Sequence, residues 1–205
     1  MLSGAVASAI IVRSCYRGSK PAGSEAALLG ISVMRAKFLF VAAMAAFGGL
    51  FAFAPRAALA NSDIVAVRDN YAAGTIVVHT SERRLYLMLG GGQALRYPVG
   101  VGRAGMQWAG TSAINGKYVE PAWSPPESIR RENPRLPDVI PSGSSHNPMG
   151  VAAMTLAGGE YAIHGTNDPG SIGHFVSHGC IRMYNADITD LYERVSIGTT
   201  VVVTR

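Results

Sequence analysis

β-branched and apolar runs separated by turn residues dominate the middle of the chain. Thr75–Thr80 is a β-branched run, and Ser81–Arg83 provides a polar turn before the apolar segment Arg84–Leu89. Three glycines, Gly90–Gly92, then precede a third segment, Ala94–Val99. Short strands at this spacing predict an antiparallel meander within a sandwich or a barrel.

The segment 103–150 shows no such pattern. Eight of the 11 prolines lie between Pro98 and Pro148, and proline cannot continue a helix or a central strand. We interpret this segment as a long ordered loop with one short helix near Glu127–Glu132. Long ordered loops in compact domains often carry function, and this one is expected to form a wall of a substrate cleft.

Regular patterns return in the last third of the chain. Tyr161–His164 reads as a short strand that ends at a histidine, and Thr199–Val203 as a terminal strand. Between them, Asn185 is a candidate N-cap for a helix over Ala186–Val195, whose apolar side chains recur at i, i+3, i+4 and i+7. The fold class predicted is mainly β, with one helix after Cys180.

The first 60 residues have the anatomy of a secretory signal peptide. From Met34 a short basic segment precedes the apolar run Phe38–Ala54, and Ala58–Ala60 is a small-x-small cleavage site. We expect Met34 to be the true start, residues 1–33 to come from upstream translation, and cleavage to leave a single domain, residues 61–205. An uncleaved membrane anchor is the alternative, because the apolar run is about one span long.

The leader also accounts for the net charge of +5. Six of the 18 Lys and Arg residues, but one of the 13 Asp and Glu residues, lie in residues 1–60, so that residues 61–205 carry 12 of each sign. No basic stripe with interleaved aromatic residues is present. Nucleic acid is therefore excluded as a partner.

Cys180 would be the only cysteine left after loss of the leader, which contains Cys15. A thiol kept in an oxidising compartment is open to oxidation and mixed disulfides, which indicates a use for it. Its surroundings, Ser177-His178-Gly179-Cys180-Ile181-Arg182, make a poor core segment. A nucleophile is therefore favoured over a buried packing residue.

A thiol of ordinary pKa, near 8.5, needs a base before it can attack a carbonyl. His164 and His178 are the candidates. The loop between His164 and Cys180 is rich in Gly, Pro and Asn, and it can fold back so that two strand ends meet. We favour His164 as the base and assign His178 to orientation or to the substrate side.

Two further residues of this segment suit acyl transfer. Gly179 allows a carbonyl to approach the backbone, and the N–H groups of Gly179 and Cys180 are candidate donors to an oxyanion. Arg182 would share a face with Cys180 in an extended strand, where its guanidinium suits a substrate carboxylate or a backbone carbonyl.

These motifs resemble the signature of L,D-transpeptidase catalytic domains of the YkuD type. The resemblance rests on His164-Gly165-Thr166 followed by Ser177–Met183, and extends from about Thr75 to Val203. It implies a β-sandwich-like fold, a place in the periplasm or cell envelope, no cofactor, and peptidoglycan stem peptides as the partner. It also implies that Cys180 attacks the carbonyl before the terminal D-alanine of a stem tetrapeptide, and that an amine resolves the thioester.

The resemblance also implies roles for individual residues. His164 corresponds to the base, and the carbonyl of Gly165 orients its ring in place of an acidic triad member. The oxyanion and substrate site corresponds to Ser177, His178, Gly179 and Arg182. The family usually has a Thr-Pro-Thr-Gly-like turn where this chain has Trp108-Ala109-Gly110-Thr111.

Other functions stay open on the sequence. A metal site at His174, His178 and Cys180, completed by His146 or His164, is disfavoured because no Cys-x₂-Cys or His-Glu-x-x-His frame exists. A cell-wall L,D-carboxypeptidase or cysteine peptidase would use the same nucleophile with water as the acceptor, and a non-enzymatic wall-binding module is a third reading. The amine acceptor could be a stem peptide, a lysine of an envelope protein or a free D-amino acid.

Overall fold

A computed structural model of the chain describes residues 11–12 and 62–205. The predicted signal peptide, from Met34 to the cleavage site at Ala60, lies outside the described residues. Within the described part, no helix is both long enough and apolar enough to cross a membrane.

Strands dominate the described residues, which confirms the predicted mainly β class. The strands are β1 Ile11–Val12, β2 Asp63–Ala66, β3 Ile76–His79, β4 Arg84–Gly90, β5 Gln93–Pro98, β6 Val101–Gly102, β7 Gly110–Val119, β8 Ala122–Trp123, β9 Ala152–Leu156, β10 Ala162–His164, β11 Phe175–Ser177, β12 Ile181–Arg182 and β13 Thr200–Thr204. The helices are α1 Glu127–Glu132 and α2 Asn185–Arg194, and a single 3-10 turn covers Pro169–Ser171.

Nine strands form one sheet in the order β12-β10-β9-β7-β13-β3-β4-β5-β2. The pairs β10–β12 and β13–β3 are parallel, and the other pairs of this sheet are antiparallel. Two short parallel pairs, β1–β8 and β6–β11, lie outside it.

The two ends of this sheet share one hydrophobic core, which makes the fold sandwich-like. Val78 and Leu85, from the β3–β5 end, lie in the same buried cluster as Met154, Ile163 and Ile181, from the β9–β12 end. Helix α2 contributes its apolar face to the same cluster, as its hydrophobic spacing predicts. The chain after β5 closes the layers, because Gly100 exchanges backbone hydrogen bonds of 2.8 and 2.9 Å with Arg182.

Most of the predicted elements are confirmed. The three meander strands correspond to β3, β4 and β5, the terminal strand to β13, and the short helix Glu127–Glu132 to α1 with the same bounds. The predicted N-cap is wrong by one residue, because the N-cap of α2 is Tyr184 and Asn185 is the first helical residue.

The interpretation of 103–150 as a loop is wrong for β7, which lies between β13 and β9. The loop was inferred from the prolines of this segment, but none of them lies within β7, and the Asn115-Gly116 dipeptide inside β7 is of a kind typical of hairpin turns. In the structure Gly116 lies at a register shift against β9, where a Cβ would contact the hydroxyl of Tyr118 and lie 2.7 Å from that of Thr155. Close approach of neighbouring side chains, rather than a turn, therefore explains this glycine.

Candidate active site

The parallel pairing of β10 and β12 brings His164 and Cys180 to one face of the sheet. His164 lies opposite Arg182 in this register. Two positions earlier, the N–H of Ala162 donates to the sulfur of Cys180 at 3.2 Å. Because side chains alternate along a strand, His164, Cys180 and Arg182 project from the same face, with roughly 8 Å between the Cα atoms of the first two.

The side chain of Cys180 is buried in a small apolar cluster. The cluster also contains Trp123, Ile129, Ile140, Met149, Ala153 and Ala162, so that β8 and α1 cover this face. The sulfur is disulfide-bonded in this structure, whereas the sequence predicted a lone thiol for a chain that has lost its leader. Nucleophilic attack by this residue would require the reduced sulfur.

His164 is fully buried, and one ring nitrogen has a fixed partner. Its Nδ1 lies 2.7 Å from the carbonyl oxygen of Gly165. A carbonyl only accepts, so Nδ1 carries the proton and Nε2 is left as the basic nitrogen of the neutral ring. Nε2 has no hydrogen-bond partner among the described residues.

Burial is the main reason why the pKa of His164 is lowered to about 3, and the positive charge of Arg182 adds to the effect. The backbone carbonyls of Gly165 and Pro148 favour the protonated ring and oppose the shift in part. The ring is therefore neutral at pH 7 and able to accept a proton. A thiolate at Cys180 would act in the opposite direction and raise the pKa.

A tight turn over Ser177–Cys180 presents the cysteine. The hydroxyl of Ser177 donates to the carbonyl of Cys180 at 2.6 Å and accepts the N–H of Gly179 at 3.1 Å. Gly179 has φ +116°, a conformation that favours glycine, and a Cβ there would collide with the ring of Tyr161. The N–H of Gly179, predicted to face an oxyanion, is thus engaged within the turn in this structure.

Two clefts flank this turn. One, with a volume of about 330 Å³, lies between α1 and the turn, and its lining includes Ile129, Tyr161 and His178. The other, of about 540 Å³, is lined by residues that include His174, Phe175 and Arg182. Arg182 is 3% exposed. It lies opposite His164 in the strand register and contributes to the wall of the second cleft.

His178 belongs to an ionic cluster with helix α1. Its Nε2 lies 2.9 Å from the guanidinium of Arg103 and 3.1 Å from the carboxylate of Glu132. Arg103 also donates to Glu132 at 2.6 Å. Hydrogen bonds from Arg103 and His178 lower the pKa of the Glu132 carboxyl. The cluster ties the last residue of α1 to the turn that carries Cys180.

Sequence reasoning missed several residues of this site. Glu132, Arg103 and Trp108 belong to no recognisable catalytic motif. In the structure the indole N–H of Trp108 donates to the carbonyl of Gly179 at 2.9 Å. The one available signal was its position, where the resembling family usually has a different turn.

The metal site that the sequence disfavoured would have involved His174, His178 and Cys180, with His146 or His164. Within residues 62–205, no three side chains of His, Cys, Asp or Glu are arranged to hold a metal ion. His174 lines the second cleft, and the backbone N–H of His146 is bonded to the hydroxyl of Ser144 at 3.2 Å.

Most of the described residues match one protein-family model. The model for the L,D-transpeptidase catalytic domain, YkuD, matches residues 73–203. "Probable L,D-transpeptidase YbiS" of Escherichia coli K12 is 39% identical over 135 residues, which are 62% of this chain and 43% of that protein. "Probable L,D-transpeptidase ErfK/SrfK" of Salmonella typhimurium LT2 is 41% identical over 135 residues, 62% of this chain and 42% of that protein. The chain thus spans less than half the length of these relatives.

Solved structures show the same fold at low sequence identity. An L,D-transpeptidase from Mycobacterium smegmatis matches with a TM-score of 0.52 at 19% identity, over 64% of this chain and 58% of that one. L,D-transpeptidase 3 from Mycobacterium tuberculosis matches with a TM-score of 0.51 at 16% identity, over 64% of this chain and 60% of that one. The mainly β, sandwich-like architecture is therefore shared with these proteins.

Proposed function

This chain belongs to the L,D-transpeptidase catalytic-domain family, and we propose that it is a cysteine acyltransferase that acts on peptidoglycan stem peptides. The observation that carries the proposal is the β10–β12 register, which puts His164 and Cys180 on one face of adjacent strands. The family and this geometry together favour a thioester mechanism.

In the acylation step the thiolate of Cys180 attacks the carbonyl between the diamino acid and the terminal D-alanine of a stem tetrapeptide. A carbon–sulfur bond forms and the carbon–nitrogen bond breaks. His164 accepts the thiol proton at Nε2 and gives it to the leaving amine, so that free D-alanine departs. An amine acceptor then attacks the thioester, forms a new amide and regenerates the thiol.

The Gly165 carbonyl has the orienting role in this mechanism. By accepting a hydrogen bond from the Nδ1–H group at 2.7 Å, it keeps Nε2 unprotonated in the neutral ring and stabilises the imidazolium that forms. A buried backbone carbonyl thus replaces the carboxylate of a Ser-His-Asp triad.

The oxyanion and substrate site is assigned to the turn and its neighbours. The amide of Cys180 is the proposed donor to the developing oxyanion, and the hydrogen bonds of Ser177 and the conformation of Gly179 set its position. His178 lies at the α1 cleft and Arg182 at the second cleft. The guanidinium of Arg182 suits a carboxylate of a stem peptide, and the ring of His178 suits a hydrogen-bonding group of it.

The proposed place of action is the periplasm or cell envelope, after export directed by residues 34–60. The proposed substrate, peptidoglycan, lies in this compartment. The basic and apolar pattern of residues 34–60 supports export. The acceptor is proposed to be an amine of another stem peptide, of an envelope protein or of a D-amino acid.

The test uses the full chain with Cys15→Ser, so that Cys180 is the only thiol, under reducing conditions. The protein is incubated with tetrapeptide muropeptides, and the acyl-enzyme and the products are identified by mass spectrometry. We expect release of D-alanine with acylation of Cys180, no product from Cys180→Ala, and thioester formation slowed about a hundredfold or more by His164→Ala.

The products distinguish the alternatives. A cross-linked dimer or an exchanged peptide identifies an amine acceptor, whereas a tripeptide alone identifies water and a carboxypeptidase. Peptide binding without any release of D-alanine contradicts the proposal and favours a wall-binding module.

A further inference from the structure

We propose that Trp108 is a positioning residue that fixes the peptide between Gly179 and Cys180, and through it the direction of the Cys180 amide. The inference deepens the proposed function, because that amide is the donor assigned to the oxyanion. It concerns a residue that stands where the resembling family usually has a Thr-Pro-Thr-Gly-like turn.

The indole of Trp108 is held on two sides. Its N–H donates to the carbonyl oxygen of Gly179 at 2.9 Å. Its ring stacks on Tyr161 with 4.9 Å between the ring centroids and an interplanar angle of 5°. Tyr161 in turn packs on Gly179, where a Cβ would collide with its ring. One aromatic pair thus holds both the Cα and the carbonyl of the residue before Cys180.

Peptide planarity carries this contact to the reacting centre. Among the described residues no peptide bond is cis, so the carbonyl of Gly179 and the N–H of Cys180 point in opposite directions from one rigid plane. Holding the oxygen at the indole therefore fixes where the amide hydrogen points. Trp108 acts on the oxyanion donor from the far side of the peptide and needs no contact with the substrate.

Gly179 is the residue at which such control is needed. Its φ of +116° lies in a region that glycine enters freely, so the adjoining peptide planes are easily rotated. Ser177 fixes the N–H of Gly179 and the carbonyl of Cys180. The peptide between Gly179 and Cys180 lies between these two groups, and its carbonyl oxygen accepts the indole N–H of Trp108. Three successive polar groups of the turn are thus held by hydrogen bonds.

Two reactions of the Cys180 thiol distinguish a positioning role of Trp108 from a packing role. Attack on a carbonyl develops an oxyanion, whereas alkylation by iodoacetamide displaces iodide and develops none. Loss of the indole N–H should slow attack on a carbonyl by about 10- to 100-fold. This loss in rate lies between that expected for one hydrogen bond and that expected for a lost oxyanion donor. Loss of the N–H should leave alkylation unchanged, because the thiol and His164 are untouched.

The experiment compares Trp108→Phe with its parent, the full chain with Cys15→Ser, under reducing conditions. Acylation is measured with the stem tetrapeptide and with p-nitrophenyl acetate, and alkylation with iodoacetamide. A second variant carries benzothienylalanine at position 108, which keeps the shape of the indole and removes only the donor. Tyr86→Phe is the control, because it removes a hydrogen bond from tyrosine to Glu82 at 2.8 Å on the distant strand β4.

Slower acylation by both probes with unchanged alkylation supports the proposal. Unchanged acylation in both variants overturns it, and so does an equal fall in acylation and alkylation, which would show that Trp108 acts on the thiol. If the parent is acylated by p-nitrophenyl acetate but not by the tetrapeptide, the proposed substrate is wrong, and the ester alone still decides the role of Trp108.

Discussion

The side-chain oxygen of Asn185 accepts the backbone N–H of Thr166 at 3.0 Å. The same peptide plane presents the carbonyl of Gly165 to Nδ1 of His164 at 2.7 Å. Both polar ends of the plane are therefore bonded, one to the proposed base and one to the first residue of α2. Asn185 thus lies behind the carbonyl that contacts His164, and a Cβ on Gly150 or Gly165 would collide with its side-chain oxygen.

From this relationship we predict that Asn185→Ala weakens the orientation of His164. Loss of one hydrogen bond of about 1 kcal/mol should slow both acylation and iodoacetamide alkylation of Cys180 by about fivefold at pH 7. Both reactions should fall, because the base itself is affected. Stopped-flow or quenched kinetics on the reduced Cys15→Ser chain would measure the two rates.

Asn185→Asp is the matched control. It keeps an acceptor oxygen toward Thr166 and places an acidic residue in the first turn of α2, where it is favourable. It should restore most of the rate. Equal rates in Asn185→Ala and the parent protein would show that the His164 ring is held without this bond.

Strand positions were predictable from local sequence, whereas the contacts around Cys180 were not. The β-branched runs of β3 and β13 and the hydrophobic spacing of α2 depend on local pattern, and they were found. β7 was missed because the prolines of its segment indicated a loop, although they flank the strand and none lies within it. The hydrogen bond of Trp108 to Gly179 spans 71 residues, and no periodicity reports a contact of that kind.

Some residues of the candidate site could likewise be proposed from local sequence, whereas others depend on long-range contacts. Cys180 and His164 could be proposed from the sequence because thiol chemistry needs both residue types, and the sequence offers few of either. Asn185 was interpreted as an N-cap, since asparagine before a helical pattern normally caps it. In the structure its oxygen serves Thr166, a residue 19 positions away. A local propensity was thus overridden by a tertiary contact.

Glu132 provides a prediction for the α1 cleft. Glu132→Gln removes the charge that pairs with Arg103 and His178, so α1 should be held less firmly against the turn. We expect KM for the tetrapeptide to rise by about two- to fivefold with little change in kcat, in line with a partly exposed ion pair.

Glu127→Gln on the same helix is the matched control. Its carboxylate faces Arg131 at 3.9 Å, and both side chains are about three-quarters exposed. This variant should leave KM unchanged. A similar rise in KM in both variants would mean that the charge of α1, rather than the cluster at His178, governs substrate binding.

Lys117 on β7 is predicted to stabilise α2. Its ammonium donates to the carbonyls of Tyr192 and Val195 at 2.6 Å each, and lies 4.1 Å from the centroid of the Tyr192 ring. Lys117→Met keeps the apolar stem and leaves carbonyls at the end of the helix without this donor. We expect a loss of about 1–3 kcal/mol in the free energy of unfolding, measured with urea.

Arg131→Met is the comparison for Lys117. The Arg131 side chain is 74% exposed and makes a single long ion pair, so the loss should stay below about 0.5 kcal/mol. If Lys117→Met is no more destabilising than Arg131→Met, the end of α2 does not depend on β7.

The buried ring of His164 makes stability depend on pH. Its pKa is lowered to about 3 from an ordinary value of 6.5, so the unfolded chain binds more protons between these values. Stability conferred by the neutral ring is present above pH 6.5 and falls as the pH drops through this window. In a Cys15→Ser, Cys180→Ser chain, which has no thiolate, the free energy of unfolding should fall by about 2 kcal/mol from pH 7 to pH 5.

His164→Gln in the same background should remove this decrease, because the replacement does not titrate. The carboxyls of Glu132 and Asp190 also have lowered pKa values, but their ordinary values of 4.5 and 3.8 place most of their effect below pH 5, outside the measured range. Urea unfolding at pH 7, 6 and 5 measures the difference. A decrease of the same size with and without His164 would contradict a neutral buried ring. In the reduced chain that keeps Cys180, a nearby thiolate would raise the pKa of the His164 imidazole. The free energy of unfolding would then fall less between pH 7 and pH 5, which would reveal the thiolate.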